Sequence, residues 1–311
     1  MTTPIVELDG VTKRFGRVTA VDDVSLALYA GRTLGVVGES GCGKSTTARL
    51  IVGLERPSAG GLRFNGTPYG RSGRALRAAR RAIGMIFQDP YESIDSRFTV
   101  GDVVAEPLDT NGVRRSERAG RVRELLDAVG MGGIDPGAYP AQFSGGQRQR
   151  IGIARALALD PELVVCDEPT SALDVSVQAQ ILNLLLDLQR DRGVGLLVIS
   201  HDLHVVRRMS DEVAVMYAGM VVERGPAEAV TGAPRHPYTQ ALLDAIPGTS
   251  PAERRLRDRT RAAAGIASAA AAGCPYSTRC PLATDVCRAE KPPLEGGEHR
   301  VACHHADASA A

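Results

Sequence analysis

The stretch Gly38-Glu39-Ser40-Gly41-Cys42-Gly43-Lys44-Ser45 fits the pattern G-x-x-x-x-G-K-S/T of a phosphate-binding loop at every defined position. It follows an apolar run at 32–37 that predicts a short buried strand, and it precedes a segment at 45–53 that predicts a helix. Glycines let such a loop turn its backbone N–H groups toward phosphate oxygens, and the helix N-terminus adds partial positive charge. We expect Lys44 to reach the β- and γ-phosphates, Ser45 to hold Mg²⁺, and Thr46 to continue the site.

The overall composition limits the class of protein. Lys and Arg number 37 against 36 Asp and Glu in 311 residues, which gives a net charge of +1. This balance argues against a dedicated nucleic-acid-binding face, so no nucleic acid is expected as a partner. The first residues carry no basic or apolar leader, and no window approaches the roughly 18 apolar residues of a membrane span. We therefore expect a soluble, cytoplasmic α/β chain with a small appendage, which needs partner chains for any work at a membrane.

A second apolar run, at 163–166, is followed directly by two acidic residues, Asp167 and Glu168. A strand that ends in acidic residues commonly accompanies a phosphate-binding loop. We expect Asp167 to bind Mg²⁺ and Glu168 to act as the general base on the attacking water.

Two further polar residues follow predicted strands. Gln88 comes after the apolar run at 83–87 and could contact Mg²⁺ or the attacking water. His201 follows the run at 194–200, and sheet topology could bring it back beside the nucleotide. We therefore include both among the candidate catalytic residues.

A second candidate anion site lies at 143–147 (FSGGQ), before a helical run. The serine and glycines there predict a helix N-terminus with exposed N–H groups, so Ser144, Gly145, Gly146 and Gln147 are candidate phosphate contacts. Asp174 precedes a clear amphipathic helix. The segment 91–140 is predicted to be largely helical, as an insertion in the α/β core. Near the start, 5–8 and 24–28 predict two short strands separated by a polar segment that contains Phe15.

Four cysteines lie close together near the C-terminus, after an Ala-rich run at 261–273 that is typical of a linker. Their spacing is C-x₅-C-x₆-C-x₁₅-C, formed by Cys274, Cys280, Cys287 and Cys303. Four thiols in a short segment with few large apolar residues suit a four-coordinate metal site. The spacing alone does not select the metal, because it lacks both the C-x₂-C knuckle usual for zinc and the bacterial ferredoxin run.

The motifs GCGKS, FSGGQ, VVCDEP, SALD and ISHD, in this order, resemble the ATP-binding subunit of an ABC transporter over about 5–230. The resemblance implies an α/β P-loop NTPase of the ABC ATPase type, with a RecA-like core, an antiparallel β subdomain and a helical subdomain at about 90–160. The nucleotide-binding domain would cover 1–232, and a small cysteine-rich C-terminal extension, including the Ala-rich linker, would cover 233–311.

The resemblance also implies roles for single residues. Phe15 would stack on adenine, Gln88 would be the Q-loop glutamine that touches Mg²⁺, Asp174 the D-loop aspartate and His201 the switch histidine. Asp167 and Glu168 keep the roles given above. Two ATPase subunits, identical or different, would pair head to tail, so that the SGGQ helix of one caps the ATP held by the other.

The stretch HPYTQALL at 236–243 is similar to peptide and nickel importer ATPases, and the cysteine tail resembles the end of the same proteins. This implies ATP and Mg²⁺ as cofactors, a 4Fe-4S cluster on the four cysteines with Zn²⁺ or free thiols as alternatives, and a peripheral position on the cytoplasmic face of the membrane. Expected partners are two transmembrane permease subunits, a second ATPase subunit and an extracytoplasmic solute-binding protein. The transported solute would be an oligopeptide or dipeptide; the alternatives are nickel or another small solute, and a soluble redox-sensing ATPase.

Overall fold

Two β-sheets carry the fold in the computed structural model, which describes residues 3–69, 73–171, 173–244 and 273–306. The smaller sheet is antiparallel, with the order β2-β1-β4-β5. Its strands are β1 (Val6–Phe15), β2 (Val18–Leu28), β4 (Ala59–Phe64) and β5 (Thr67–Tyr69).

The larger sheet has seven strands in the order β11-β10-β9-β3-β8-β7-β6. The five strands from β9 to β6 in this order are parallel, whereas β10 and β11 are antiparallel to their neighbours. The strands are β3 (Thr33–Val37), β6 (Ile83–Ile86), β7 (Leu163–Asp167), β8 (Gly195–Ser200), β9 (Glu212–Tyr217), β10 (Met220–Pro226) and β11 (Arg300–Val301).

Helices connect the strands and form a group of their own between β6 and β7. Helices outside that group are α1 (Lys44–Ile51), α2 (Arg74–Ala82), α7 (Val175–Arg192), α8 (Leu203–Met209), α9 (Ala227–Gly232), α10 (Pro237–Asp244) and α11 (Asp285–Ala289). The group between β6 and β7 consists of α3 (Pro90–Ser93), α4 (Val100–Thr110), α5 (Arg115–Ala128), a 3₁₀ turn (Pro140–Gln142) and α6 (Gly145–Ala156).

The central strands are buried on both faces, as their continuous apolar runs predict. In β7, Leu163 and Val165 pack into the core shared with the antiparallel sheet, while Val164 and Cys166 pack into the core beneath the helical group. β7 therefore stands between two hydrophobic layers, and its only carboxylate lies at its end.

The carboxyl ends of the parallel strands meet at one edge of the larger sheet. Val37 of β3 pairs with Ser200 of β8, and Asp167 of β7 pairs with Ile199. The segments that directly follow these strands are thereby brought together, as expected for ligand sites in open α/β sheets.

The predicted P-loop α/β core is confirmed. Helices α4 and α5 and most of α3 lie in the segment 91–140 that was predicted to be largely helical, and Val122, Leu125 and Leu126 are buried on α5. The prediction of two short strands separated by a polar segment was wrong. β1 and β2 instead run through that segment as one long hairpin that turns at Gly16, with register shifts along it. Its outer end pairs only within the hairpin and is exposed, so it shows no apolar alternation. No helix in the described part of the chain is long and apolar enough to cross a membrane.

Candidate active site

The predicted phosphate-binding loop links β3 to α1, and two of its glycines have no room for a side chain. A Cβ on Gly38 would lie 2.2 Å from the carbonyl oxygen of Met216 in β9. At Gly43, which has φ of +107°, a Cβ would lie 2.2 Å from the carbonyl oxygen of Ala20 in β2. The loop is therefore held against both sheets by contacts that only glycine permits.

Lys44 is nearly fully buried beneath this loop. Its ammonium donates hydrogen bonds to the carbonyl oxygens of Gly38 at 2.8 Å and Glu39 at 3.0 Å, and it makes a longer 4.0 Å contact with the sulfur of Cys42. An ammonium has three donors. A phosphate oxygen could replace the sulfur while the two carbonyl contacts keep the side chain aimed into the loop.

Ser45 and Asp167 are brought together as the sequence predicts. The Ser45 hydroxyl donates to an Asp167 carboxylate oxygen at 3.0 Å. Burial raises the pKa of Asp167, an effect that the Ser45 hydrogen bond partly opposes. A hydroxyl beside a buried carboxylate fits the oxygen ligands that Mg²⁺ prefers, and the cation would favour the ionised carboxylate.

Glu168 is the meeting point of the three predicted catalytic side chains. One of its carboxylate oxygens accepts a hydrogen bond from the Gln88 amide at 3.0 Å and lies 3.4 Å from Nδ1 of His201. The Glu168 backbone has φ of +46°, an uncommon conformation for a residue with a side chain. Its N–H donates to the Ile199 carbonyl at 3.0 Å, which holds the residue at the end of β8.

The second predicted anion site is a capped helix N-terminus at the start of α6. Ser144 and Gln147 bond each other reciprocally, the serine oxygen to the Gln147 N–H and the glutamine oxygen to the Ser144 N–H. Within the described ranges, no hydrogen bond joins 144–147 to the loop at 38–45. The structure thus does not bring the two anion sites of one chain together.

The remaining predicted nucleotide contacts lie around these groups. Asp174 caps α7 by accepting from the Val177 N–H at 2.9 Å, and hydrogen bonds, first from the Ser176 hydroxyl, lower its pKa. Phe15, at the end of β1, is 46% exposed, and the Lys13 ammonium lies over its ring, 4.6 Å from the ring centre. Ser40 and Gly41 are exposed at the loop tip, and Thr46 is half-buried in the first turn of α1.

The predicted iron–sulfur or zinc site is not supported. In residues 3–69, 73–171, 173–244 and 273–306, no group of three or more His, Cys, Asp or Glu side chains could hold a metal ion. The structure describes all four C-terminal cysteines as free. Burial raises the pKa of Cys274, Cys280 and Cys303. The predicted Ala-rich linker lies outside the described residues, apart from Gly273.

Contacts from the C-terminal part to the loop were missed by the sequence reasoning. The Arg279 guanidinium binds the Glu39 carboxylate through two hydrogen bonds of 3.0 and 3.1 Å, and the Tyr238 hydroxyl accepts from the Glu39 N–H at 2.8 Å. The partners are separated by 240 and 199 positions. No local periodicity in the sequence predicts these contacts, and the stretch HPYT at 236–239 indicates only the resemblance to a family.

Two family models match the chain. The ABC transporter model covers residues 21–171, and the oligopeptide/dipeptide transporter C-terminal region covers residues 222–287.

Curated relatives are similar over most of the chain. A probable peptide ABC transporter ATP-binding protein, y4tS of Sinorhizobium fredii, is 50% identical over 92% of this chain and 82% of its own length. The di/tripeptide transport ATP-binding protein DppF of Pseudomonas aeruginosa is 46% identical over 96% and 93%, respectively. The oligopeptide transport ATP-binding protein OppD of Mycobacterium bovis is 54% identical over 78% of this chain, which spans only 40% of that relative.

Solved structures share the fold. CbiO1 of Clostridium perfringens, part of the ABC transporter complex cbiONQ, has a TM-score of 0.68 and 26% identity, covering 74% of this chain and 91% of that one. The ATP-binding cassette MJ0796, solved as a dimer in a post-hydrolysis state with ADP and Pi, has a TM-score of 0.64 and 30% identity, covering 71% and 98%.

Proposed function

The chain belongs to the family of ABC transporter ATP-binding subunits, in its oligopeptide and dipeptide import branch, and we propose that Glu168, Gln88 and His201 carry out the ATP hydrolysis that powers this import. The observation that carries the proposal is the convergence of Gln88 and His201 on one Glu168 oxygen, at 3.0 and 3.4 Å. This carboxylate directly follows Asp167, which bonds the loop serine. The residues proposed to bind phosphate, to hold Mg²⁺ and to activate water therefore lie together at the carboxyl ends of the parallel strands.

The phosphates would be held by the loop at 38–45, by Lys44 and by the N–H groups that open α1. Ser45 and Asp167, with Gln88 nearby, would hold Mg²⁺, which supplies charge neutralisation on the phosphates when bound. Lys44 keeps its two carbonyl contacts and turns its remaining donor to the phosphate. Thr46 lies one residue further along the same helix turn, in reach of the site.

Glu168 would act as general base on the attacking water. Its carboxylate is mostly shielded, with 16% of the side chain exposed, whereas His201 is 64% exposed. Gln88 and His201 hold that carboxylate in the described structure. When they release it, the carboxylate can accept the water proton, and His201 can contact the leaving phosphate instead.

A second ATPase subunit would complete the site. We propose a head-to-tail pair in which Ser144–Gln147 of one subunit cap the ATP held by the other, with Asp174 of the D-loop beside it. The absence of a hydrogen bond between the two anion sites in the described residues supports this arrangement, and the similar MJ0796 cassette was solved as a dimer. The capping N–H groups would act as an anion-binding helix N-terminus. Phe15 would stack on the adenine from the side of the antiparallel sheet.

The domain boundaries follow the same proposal. The nucleotide-binding domain would comprise 1–232, with its helical subdomain at about 90–160, and a C-terminal extension would comprise 233–311. An open cleft beside Gln88 lies between the core and the helical group, and Phe87, which lines it, is 38% exposed. Tyr91 in the nearby helix α3 is 55% exposed. Exposed aromatic residues next to the site suit a contact with a permease subunit.

The complete transporter would contain two permease subunits, a second ATPase subunit and an extracytoplasmic solute-binding protein, with this chain on the cytoplasmic face of the membrane. The names of the similar proteins favour peptides as the cargo. The decisive experiment is an anaerobic pull-down of the full chain from native membranes, with mass spectrometry of its partners. We expect permeases together with a peptide-type binding protein. A nickel-type binding protein would change the cargo, and a soluble partner without permeases would reject the transport assignment.

A further inference from the structure

We propose that the C-terminal part of the chain positions the phosphate-binding loop through Glu39, and that Arg279 and Tyr238 are positioning residues for nucleotide binding. The inference deepens the proposed function and rests on it. It concerns a loop position that the motif leaves undefined, the second residue of G-x-x-x-x-G-K-S.

Every polar group of Glu39 has a partner. Its N–H donates to the Tyr238 hydroxyl at 2.8 Å, and its carbonyl oxygen accepts from the Lys44 ammonium at 3.0 Å. Its two carboxylate oxygens accept from the two terminal nitrogens of Arg279 at 3.0 and 3.1 Å. Bidentate Arg–carboxylate pairs fix orientation as well as distance. Glu39 is therefore a link between Lys44 and the C-terminal part of the chain.

Tyr238 and Arg279, the two partners of Glu39, both pack against buried aromatic rings. The rings of Tyr217, Tyr238 and Tyr276 are buried against one another, with centroids 4.6 to 5.4 Å apart. The Arg279 guanidinium lies over two of these rings, 5.9 Å from the Tyr217 centroid and 5.8 Å from the Tyr276 centroid. Arg279 keeps only 18% of its side chain exposed. The cluster thus presents a fixed cation and a fixed hydroxyl to the loop.

The C-terminal module, residues 273–306, is anchored to the larger sheet independently of Glu39. Its strand β11 pairs with β10, and its His299 bonds the fully buried carboxylate of Glu223 at 2.7 Å. Loss of the Arg279 contact alone would therefore leave the module in place. The loop would instead be less restrained at Glu39, and the Lys44 ammonium, which bonds the Glu39 carbonyl, would be held less firmly toward the nucleotide.

Positioning of the loop and mere attachment of the module predict different results. If Arg279 only attaches the module, its removal lowers thermal stability and leaves nucleotide affinity unchanged. If it positions the loop, its removal weakens nucleotide binding at temperatures far below unfolding, and the effect depends on Glu39. A double-mutant cycle between Arg279 and Glu39 separates the two cases.

The test uses the full chain and measures the Kd of a non-hydrolysable ATP analogue with Mg²⁺, alongside the unfolding midpoint. We expect R279A and E39Q each to weaken binding about fivefold, and the double variant to be no weaker than either single one. R279K should recover part of the affinity, because a single ammonium replaces one of the two bonds. Y238F should weaken binding independently, because the Glu39 N–H loses its acceptor.

The matched control is R288A in the same module, where the arginine is exposed and, among the described residues, forms its ion pair with Asp285 in its own helix. It should bind within twofold of the wild type. Unchanged binding by R279A, or additive effects of R279A and E39Q, would overturn the inference. Failure of the proposed function is distinguishable: a chain without an ATP site would show no binding of the analogue by the wild type, and the transport assignment is tested separately by the pull-down of permeases.

Discussion

The Gln88 amide donates a 3.0 Å hydrogen bond to the carboxylate of Glu168, joining the residues that follow two neighbouring strands, β6 and β7. The bond occupies the same carboxylate oxygen that lies nearest to His201. A movement of Gln88 away from the sheet edge would therefore release the proposed base. A movement of the residues that line the cleft beside Gln88 would therefore change whether the Glu168 carboxylate is free to accept the water proton.

Replacement of Glu168 by Gln should abolish turnover and preserve binding. The amide keeps the size and the polar contacts of the side chain but cannot accept the water proton, so kcat should fall at least about 100-fold. Phosphate release at saturating ATP and titration with a non-hydrolysable analogue measure the two quantities. E162Q is the matched control, because Glu162 is exposed at the opposite end of β7 and, in the described part of the chain, its side chain bonds Asn65. Near-normal hydrolysis by E168Q would reject Glu168 as the base.

Replacement of Lys44 by Ala should weaken nucleotide binding itself. The variant removes a buried cation whose ammonium is aimed by two loop carbonyls, and a charge-assisted bond to phosphate is lost with it. We expect Kd for the ATP analogue to rise at least about tenfold. K291A, which removes a half-exposed lysine paired with Asp22, serves as control. Equal affinities of K44A and K291A would contradict the assignment.

Replacement of His201 by Ala should lower kcat at constant affinity for the ATP analogue. Its imidazole lies 3.4 Å from Glu168 and has no place in the phosphate-binding loop, so a loss of about 10- to 100-fold in turnover is expected. His204 lies three positions further on, in the first turn of α8, and is exposed, so H204A should hydrolyse ATP at the wild-type rate. The role given to His201 would not survive if both variants behaved alike.

Replacement of Glu223 by Ala should destabilise the attachment of the C-terminal part. The carboxylate is completely buried and accepts from the N–H groups of Arg235 and His236 and from the His299 imidazole. Leaving these donors unpaired should cost about 3 kcal/mol of unfolding free energy. Thermal or denaturant unfolding checks this, with E228A on the exposed start of α9 as control. An unchanged E223A midpoint would mean that the buried donors find other acceptors.

Buried His236 should make the fold sensitive to acid. Burial lowers the pKa of His236 to about 4 from an ordinary value of 6.5, so the native state favours the neutral imidazole. The neutral ring contributes stability that is fully present above pH 6.5 and is lost as the pH falls toward 4, about 3 kcal/mol in total. H236N keeps an acceptor near the Tyr238 N–H without titrating there. Its unfolding free energy should vary less with pH over this window than that of the wild type or of H204N; an identical slope in all three would refute the prediction.

The candidate site could be predicted from the sequence wherever a single short segment contains both a strand and the functional residues that follow it. The loop at 38–45, the acidic end of β7 and His201 each follow an apolar run, and the parallel order of β3, β8 and β7 brings them together. The long β1–β2 hairpin escaped prediction because its outer end is exposed and shows no apolar alternation. Such a ribbon is fixed by pairing between strands and not by burial of alternate residues.

Contacts between distant segments were beyond sequence reasoning. The Glu39–Arg279 pair joins residues 240 positions apart, and neither residue belongs to a periodic pattern that marks its partner. The four cysteines show the opposite error. Their spacing suggests a shared centre, yet the described residues form no group that could hold a metal ion.

The short strand β11 closes one edge of the larger sheet. It covers β10, whose outward N–H and C=O groups would otherwise be open to pairing with another molecule. Unpaired sheet edges promote aggregation between chains. The C-terminal module thus covers Glu223 and Arg224 on this edge as well as anchoring itself there, and a chain cut before residue 273 would leave that part of the edge unpaired.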